Sequence, residues 1–307
     1  MCKYKRNVLK IKKCCMNWTK LSIKEILYYI FYRLPAITKG KFISHNLVKV
    51  HWGRGLNNFG DCLSPDILKY YGLTPVYVSN QLDADIVLAG SILQWIDSNY
   101  TGFIVGTGGD DVMYSFPNAK IVAVRGKLTH GNFVGHQDYE SIIYGDPGLL
   151  MTYVYPEEVK QEYDLGIIPH FVDLNTEKVN RWRKTFDNEN VLFISPLGNP
   201  KEIIKKIKSC KCIVSSSLHG LIIADAFHIP NIRFVDRKTM PTAFYDYKFE
   251  DYYSSLDLDD VPCISITGDE TLEELITTTT IKNVEKVEEL KMRINSLMLE
   301  VVGQFKK

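Results

Sequence analysis

Lys211-Cys212-Ile213-Val214-Ser215-Ser216-Ser217-Leu218-His219-Gly220, continuing through Leu221-Ile222-Ile223-Ala224-Asp225-Ala226-Phe227, is the stretch that decides the fold. An apolar run rich in β-branched residues meets three serines and a His-Gly, then an apolar segment of helical length. This predicts strand, tight loop and helix. The serine hydroxyls and the first-turn N–H groups of such a helix point into one pocket, where the helix dipole favours an anion and an imidazole can move a proton. A buried β-α unit whose histidine merely hydrogen-bonds to backbone fits the same pattern. The rest of the chain has to decide between them.

Outward from this stretch, the sequence alternates short apolar runs with helical segments from residue 46 onward, the grammar of a doubly wound α/β protein. Strands are expected at Leu47–Trp52, Asp85–Ala89, Phe103–Gly106 and Lys120–Val124, then at Leu165–Ile168, Val191–Ser195, Cys212–Ser215 and Ile232–Val235. Helices are expected from Ser64 (N-cap) and Pro65, and at Lys127–Phe133, Asn175–Phe186, Pro200–Ser209 and Leu218–Phe227. Tyr153–Tyr163, with Pro156 and several charges, reads as a linker, and Leu272–Val301 as a helix pair or one long helix. The reading is an α/β chain of two Rossmann-like domains facing a cleft, 46–160 and 161–270, preceded by a basic segment 1–45 and followed by a helical segment 271–307.

A chain of 307 residues, 45% of them hydrophobic, can fill two such cores. Its net charge of +1 hides a local excess: residues 1–41 hold eleven Lys/Arg against the single acid Glu25. Within that segment Ser22-Ile23-Lys24-Glu25 has the form of a capping box, and Ile23, Ile26, Leu27, Ile30, Phe31 and Leu34 recur at helical spacing before Pro35. Such a helix suits an anionic membrane surface or the protein's own core equally. Nucleic acid is a poor partner, because the basic stretch is short and its aromatic residues lie on the apolar stripe. Seven cysteines show neither zinc spacing nor a disulfide framework, so a reducing cytoplasm is expected, with Cys210 and Cys212 as packing thiols.

Ligands of open parallel sheets sit beyond the carboxyl ends of the strands, and the motifs cluster there. Gly53-Arg54-Gly55-Leu56-Asn57-Asn58-Phe59-Gly60-Asp61 has glycines that admit a ligand close to backbone, with Asn58 and Asp61 able to bind hydroxyls. Its spacing matches neither a Walker loop nor a dinucleotide fingerprint. Gly106-Thr107-Gly108-Gly109 serves a tight turn or a ligand. Arg125, at a strand end, either clamps an anion or makes an interdomain salt bridge, and its position favours the clamp. Asp146, in Gly145-Asp146-Pro147, reads as a backbone cap. His170, after Pro169, either faces the cleft or is a locally satisfied hinge residue.

Taken in order, Asn58-Phe59-Gly60-Asp61, Val124-Arg125-Gly126 with Thr129, Gly145-Asp146-Pro147-Gly148-Leu149-Leu150, Ile168-Pro169-His170 and Ser217-Leu218-His219-Gly220 resemble the polysaccharide pyruvyltransferase family, across about residues 46 to 256. The resemblance implies a glycosyltransferase-B-like arrangement of the two domains. It implies transfer of the three-carbon unit of phosphoenolpyruvate to two hydroxyls of a sugar in an exopolysaccharide, capsule or cell-wall glycan precursor, the acceptor being lipid-linked, and formation of a pyruvate ketal.

His219 would then be the general acid, in a solvent-facing cleft, and Arg125 would grip the donor from the opposite lobe. Ser216, Ser217 and the N–H groups of Leu218 and His219, beside Gly220, would complete an anion pocket, while Asn58, Gly60, Asp61 and His170 would meet substrate. No cofactor or metal is called for, and the setting would be cytoplasmic, peripheral to the inner face of a membrane if residues 1–41 bind it. The chain departs from the family at Ser217, where many members carry an Arg; Arg54, Arg233 or Arg237 would have to supply that charge. A nucleotide-sugar glycosyltransferase, or a catalytically silent member of an assembly complex, would share the same fold.

Overall fold

The computed structural model describes residues 46–53, 57–135, 141–236, 242–260 and 262–306. The basic helix expected within residues 1–41, together with Arg54 and Arg237, lies outside the described residues. His45–Lys307 form one compact unit.

Two parallel sheets build that unit. The first contains β1 (Leu47–Val50), β2 (Thr74–Tyr77), β3 (Ile86–Val87), β4 (Phe103–Val105), β5 (Lys120–Val124) and β6 (Ile143–Tyr144) in the order β2-β1-β3-β4-β5-β6. Helices α1 (Ser64–Tyr70), α2 (Lys127–Gly131) and α3 (Met151–Val154) belong to this half of the chain. The second sheet contains β7 (Leu165–Ile168), β8 (Val191–Phe193), β9 (Ile213–Ser215), β10 (Asn231–Val235) and β11 (Cys263–Ser265) in the order β11-β10-β9-β7-β8. Its helices are α4 (Glu177–Thr185), α5 (Pro200–Lys208), α6 (Leu218–Ala226) and α7 (Thr242–Ser255), followed by α8 (Leu272–Thr278) and α9 (Val284–Gly303), a helix pair.

Both sheets are all-parallel; β3, β4, β7 and β9 are apolar runs buried throughout, as parallel strands covered on both faces are, whereas β1 alternates exposed and buried residues and the edge strands β2, β8 and β11 are partly exposed. Each sheet also reverses its direction of winding once: between β1 and β3 in the first, between β7 and β9 in the second. Such switch points open a crevice at the carboxyl ends of the strands. The loops after β1, β3, β7 and β9 are therefore where a site is placed by topology alone.

The sheets do not keep separate interiors. One hydrophobic core runs from Val48, Phe59 and Ile86 of the first half through Leu221, Ile222 and Phe249 of the second to Leu290, Ile294 and Met298 of α9. The 57–61 loop is stitched to the other half by backbone: Phe59 N–H donates to Pro196 C=O at 2.8 Å and Gly198 N–H to Asn57 C=O at 3.0 Å. Ser64 is the first residue of α1, with Leu63 in the capping position and no side-chain cap, which corrects the expected Ser64 cap. Cys210 and Cys212 are buried, and burial pushes the Cys210 thiol up to about 12, as a packing thiol requires.

Candidate functional site

His219 stands in the first turn of α6, two residues past the carboxyl end of the β9 loop, and Gly60 of the opposite half lies flat against its ring. A Cβ at Gly60 would fall 2.1 Å from His219 Nδ1, so only glycine lets the loop approach this closely. Phe59 meets the imidazole edge-on, with ring centroids 6.3 Å apart. The side chain is enclosed, 6% exposed, which corrects the expectation of an open, solvent-facing cleft. The cause is the shared core: the loop after β1 is clamped onto the second half and roofs the histidine. Burial lowers the His219 pKa to about 4; Asp61 opposes this, and Arg125 and Lys248 add to it.

Two carboxylates flank the ring. Asp146 is fully buried, with Oδ1 3.7 Å from His219 Nε2. It does cap backbone, accepting from Gly148 N–H at 2.8 Å, as its turn sequence predicts, yet Oδ2 has no partner among the described residues. Burial raises its pKa to about 6, against the Gly148 N–H and the Arg125 charge. Asp61 lies against Gly53 and Gly90, whose added Cβ atoms would come within 3.2 Å of its Cβ and 3.1 Å of its Oδ1. Asn58 Nδ2 donates to Asp61 Oδ2 at 3.0 Å, so Asn58 positions that carboxylate. Burial raises the Asp61 pKa and the nearby His219 lowers it.

Arg125 is fully buried after β5 and takes the alternative that strand-end position had disfavoured. Its Nε donates to Asp251 Oδ2 at 2.8 Å and its Nη1 to Ser91 Oγ at 2.5 Å. Asp251, on α7, also accepts from Thr129 N–H at 2.7 Å and Thr129 Oγ1 at 2.6 Å. Backbone contact is closer still: a Cβ at Gly126 would fall 1.7 Å from Asp251 C=O. Arg125 therefore ties the two halves together, and Nη2 is its one nitrogen with no partner among the described residues. The bridge partner is 126 residues away in sequence, which is why nothing local announces it.

The serine hydroxyls are engaged to different degrees. Ser216 Oγ accepts from His170 N–H at 2.8 Å and donates to Asp173 Oδ2 at 2.6 Å, so its hydroxyl is already engaged. Ser215 Oγ accepts from Ser217 N–H at 3.0 Å and lies 2.9 Å from Ile168 C=O, holding the loop to β7. Ser217 is the N-cap of α6 without a side-chain capping bond. Leu218 packs into the core, and a Cβ at Gly220 would fall 2.5 Å from Ser215 Oγ, so Gly220 serves helix-to-strand packing.

His170 is buried against Phe171 and Tyr245, at ring-centroid distances of 4.2 and 5.3 Å, and its Nδ1 has no partner among the described residues. Burial, assisted by Lys248, lowers its pKa to about 3. The loops after β7 and β9, the end of β10 and α7 border a small, partly open cavity of about 40 Å³ lined by Asp173, Ser216, Arg233, Tyr245 and Phe249 among others.

Lys248, on α7, is the group sequence reasoning missed. It is 8% exposed, and no hydrogen bond or ion pair joins its Nζ to any described residue. Among the described residues two ring faces meet it, Tyr245 at 4.5 Å and Phe249 at 5.3 Å from Nζ to centroid. Burial lowers its pKa to about 7; Arg125 and Arg233 push the same way, while Asp61 and Asp173 oppose.

The fold and its site define a parallel-sheet α/β protein in which the loops after β1 and β9 bring Asp61 and a buried imidazole together with Asp146 after β6, Arg125 after β5 and Lys248 on α7. Residues 4–238 match the family model described as Polysaccharide pyruvyl transferase. The chain belongs to the polysaccharide pyruvyl transferase family.

Among curated relatives, it is 36% identical over 169 residues to Uncharacterized protein L143 of Acanthamoeba polyphaga mimivirus, covering 51% of this chain and 55% of that protein. It is 28% identical over 188 residues to Succinoglycan biosynthesis protein ExoV of Rhizobium meliloti (strain 1021), covering 59% and 57%. The chain thus spans a little over half the length of these relatives. Among solved structures, an S. aureus MnaA–UDP co-structure aligns at TM-score 0.40 and 10% identity over 84% of this chain and 90% of that one, a likeness too slight to carry an argument. No helix among the described residues is long and apolar enough to cross a membrane.

Proposed function

We propose that the protein transfers the pyruvyl unit of phosphoenolpyruvate to two hydroxyls of a sugar in an exopolysaccharide, capsule or cell-wall glycan precursor, closing a cyclic ketal. The observation that carries this reading is His219, a neutral buried imidazole held between Asp146 and Asp61 and roofed by Gly60. Membership of the family supplies the substrate class. The two sheets would act as the two Rossmann-like lobes of a glycosyltransferase-B-like enzyme, with the acceptor entering at the facing strand ends.

The chemistry follows from charge. A phosphate dianion beside the imidazole would raise its pKa from about 4 and load it with a proton. His219 gives that proton to C3 of the enol, and positive charge develops at C2. The first sugar hydroxyl adds to C2 as Asp61, whose burial favours its taking a proton, accepts the hydroxyl hydrogen. The C2–O bond to phosphate breaks, the second hydroxyl adds in its place, and the ring closes. One hydroxyl proton restores His219 and the other leaves with phosphate, so the enzyme ends as it began. No step here draws on a cofactor.

The test uses the purified full chain with phosphoenolpyruvate and a glycan acceptor, lipid-linked or free. Phosphate release together with an acceptor mass gain of about 70 Da is expected, values fixed by covalent chemistry and independent of a shared fold. Inertness toward phosphoenolpyruvate, with a gain of about 162 Da from a nucleotide sugar, would replace this reading with glycosyl transfer.

A further inference from the structure

A buried ammonium group without an acceptor is an expensive arrangement, and folded proteins rarely keep one unless something else supplies the opposite charge. Lys248 is such a group among the described residues. The neighbouring Arg233 has the same defect in part: it is 5% exposed, one end of its guanidinium pairs with Asp246, and its Nε has no partner among the described residues. Both cations meet the ring of Phe249, Arg233 Cζ at 3.8 Å and Lys248 Nζ at 5.3 Å from the centroid. Arg233, Phe249 and Tyr245 also line the cavity of about 40 Å³ at the ends of β9 and β10, where Ser216 leads into α6.

We propose that Lys248 and Arg233 form the anion subsite of this enzyme, Lys248 Nζ and Arg233 Nε receiving the phosphoryl or carboxylate oxygens of the donor. The inference rests on phosphoenolpyruvate being the donor and adds the residues that hold it. Arg125 cannot fill this role with its whole fork, because Asp251 and Ser91 already occupy two of its three nitrogens. Ser216 cannot fill it with its hydroxyl, which is engaged by His170 and Asp173. Arg125 offers only Nη2, whereas Lys248, which acts on His219, and Arg233, which acts on Lys248, keep donors without an acceptor among the described residues. The two aromatic faces suit this, since a ring face steadies an ammonium or guanidinium group without neutralising it. An anion entering the subsite would find cations that are largely buried and already oriented by the rings.

The assignment predicts an unusual pair of effects from one substitution. Lys248→Met removes an uncompensated charge from the interior, so the unliganded variant melts at a higher temperature than the wild type. The same variant binds phosphoenolpyruvate at least 30-fold more weakly by titration calorimetry. A lysine serving only the fold would give the opposite melting shift.

Inorganic phosphate and pyruvate, titrated separately, identify the oxygens concerned: loss confined to phosphate places the phosphoryl group at Lys248, and loss confined to pyruvate places the carboxylate there. Either supports the subsite. Arg233→Gln, expected to weaken binding about tenfold, provides a second reading if Lys248→Met does not fold. Equal affinity of the variants and the wild type for phosphoenolpyruvate overturns the subsite and leaves the donor intact. A wild-type chain that binds neither phosphoenolpyruvate nor phosphate overturns the donor itself.

Discussion

Arg125 and Lys248 are both buried cations, they lie in the same electrostatic neighbourhood, and both are governed by α7. Arg125 has a carboxylate at 2.8 Å and a hydroxyl at 2.5 Å, whereas Lys248 has two ring faces and no acceptor among the described residues. The paired cation does architectural work: it fastens the end of β5 to a helix more than a hundred residues further on. The unpaired one holds charge in reserve. A charge count along the sequence cannot tell these cases apart, since the difference lies in what α7 carries one turn later.

Breaking the paired side gives the largest effect. Asp251→Ala strips Arg125 and Thr129 of their acceptor and leaves a buried guanidinium uncompensated, which should lower unfolding free energy by about 3–5 kcal/mol in urea titrations. An unfolding midpoint close to the wild-type value would mean that the bridge is not what joins the halves.

Next comes the roof over His219. In Gly60→Ala the new methyl would meet the imidazole at 2.1 Å, so the ring must move by about an ångström, and transfer should fall about 100-fold. Undiminished turnover would remove His219 from its assigned place.

The unpaired side can be sharpened through pH. The folded-state pKa of Lys248, about 7, lies below the unfolded value near 10.4, so between those limits the unfolded chain binds more protons than the folded one. Stability should therefore rise from pH 7 toward pH 9, by at most about 1.4 kcal/mol per pH unit, and Lys248→Met should lose that slope. The charged groups acting on Lys248 are Arg125 and Arg233, which lower its pKa, and Asp61 and Asp173, which raise it. Identical slopes in the two proteins would show that the ammonium is not the group being titrated. The smallest effect is on His219 itself: Lys248→Met removes one of the charges depressing its pKa, so the ring should titrate at a higher pH in NMR spectra than in the wild type.

Most of the sheet strands could be read from the sequence, because a parallel strand buried on both faces is an apolar run and its active loop begins where Gly, Ser or Asp interrupts it. Lys120–Val124 and Leu165–Ile168 match the expected bounds. Three short strands escaped notice. Thr74–Tyr77 contains a proline, Ile143–Tyr144 is two residues long, and Cys263–Ser265 is half exposed.

The loss that matters is α7. Tyr247, Lys248, Phe249, Asp251, Tyr252 and Tyr253 are all buried, so its inward residues are nearly consecutive and leave no 3.6-residue stripe to detect. That helix carries both Asp251 and Lys248, and with it went the partner of Arg125 and the second cation. His219, Asp61 and Gly60 are legible from their strand-end loops; the turn sequence of Asp146 shows its capping bond to Gly148 but not its place beside His219. The enclosure of His219 was not legible, because it depends on Phe59 and Asn57 pairing with residues 196–198 across the molecule.

The central claim is that His219 delivers a solvent-exchangeable proton to C3 of the donor. Transfer carried out in deuterated water, with the product ketal examined by mass spectrometry and NMR, tests this directly. The account predicts one deuterium in the ketal methyl group with the wild-type chain and no ketal with His219→Asn. A ketal methyl free of deuterium, or undiminished ketal formation by His219→Asn, would contradict it.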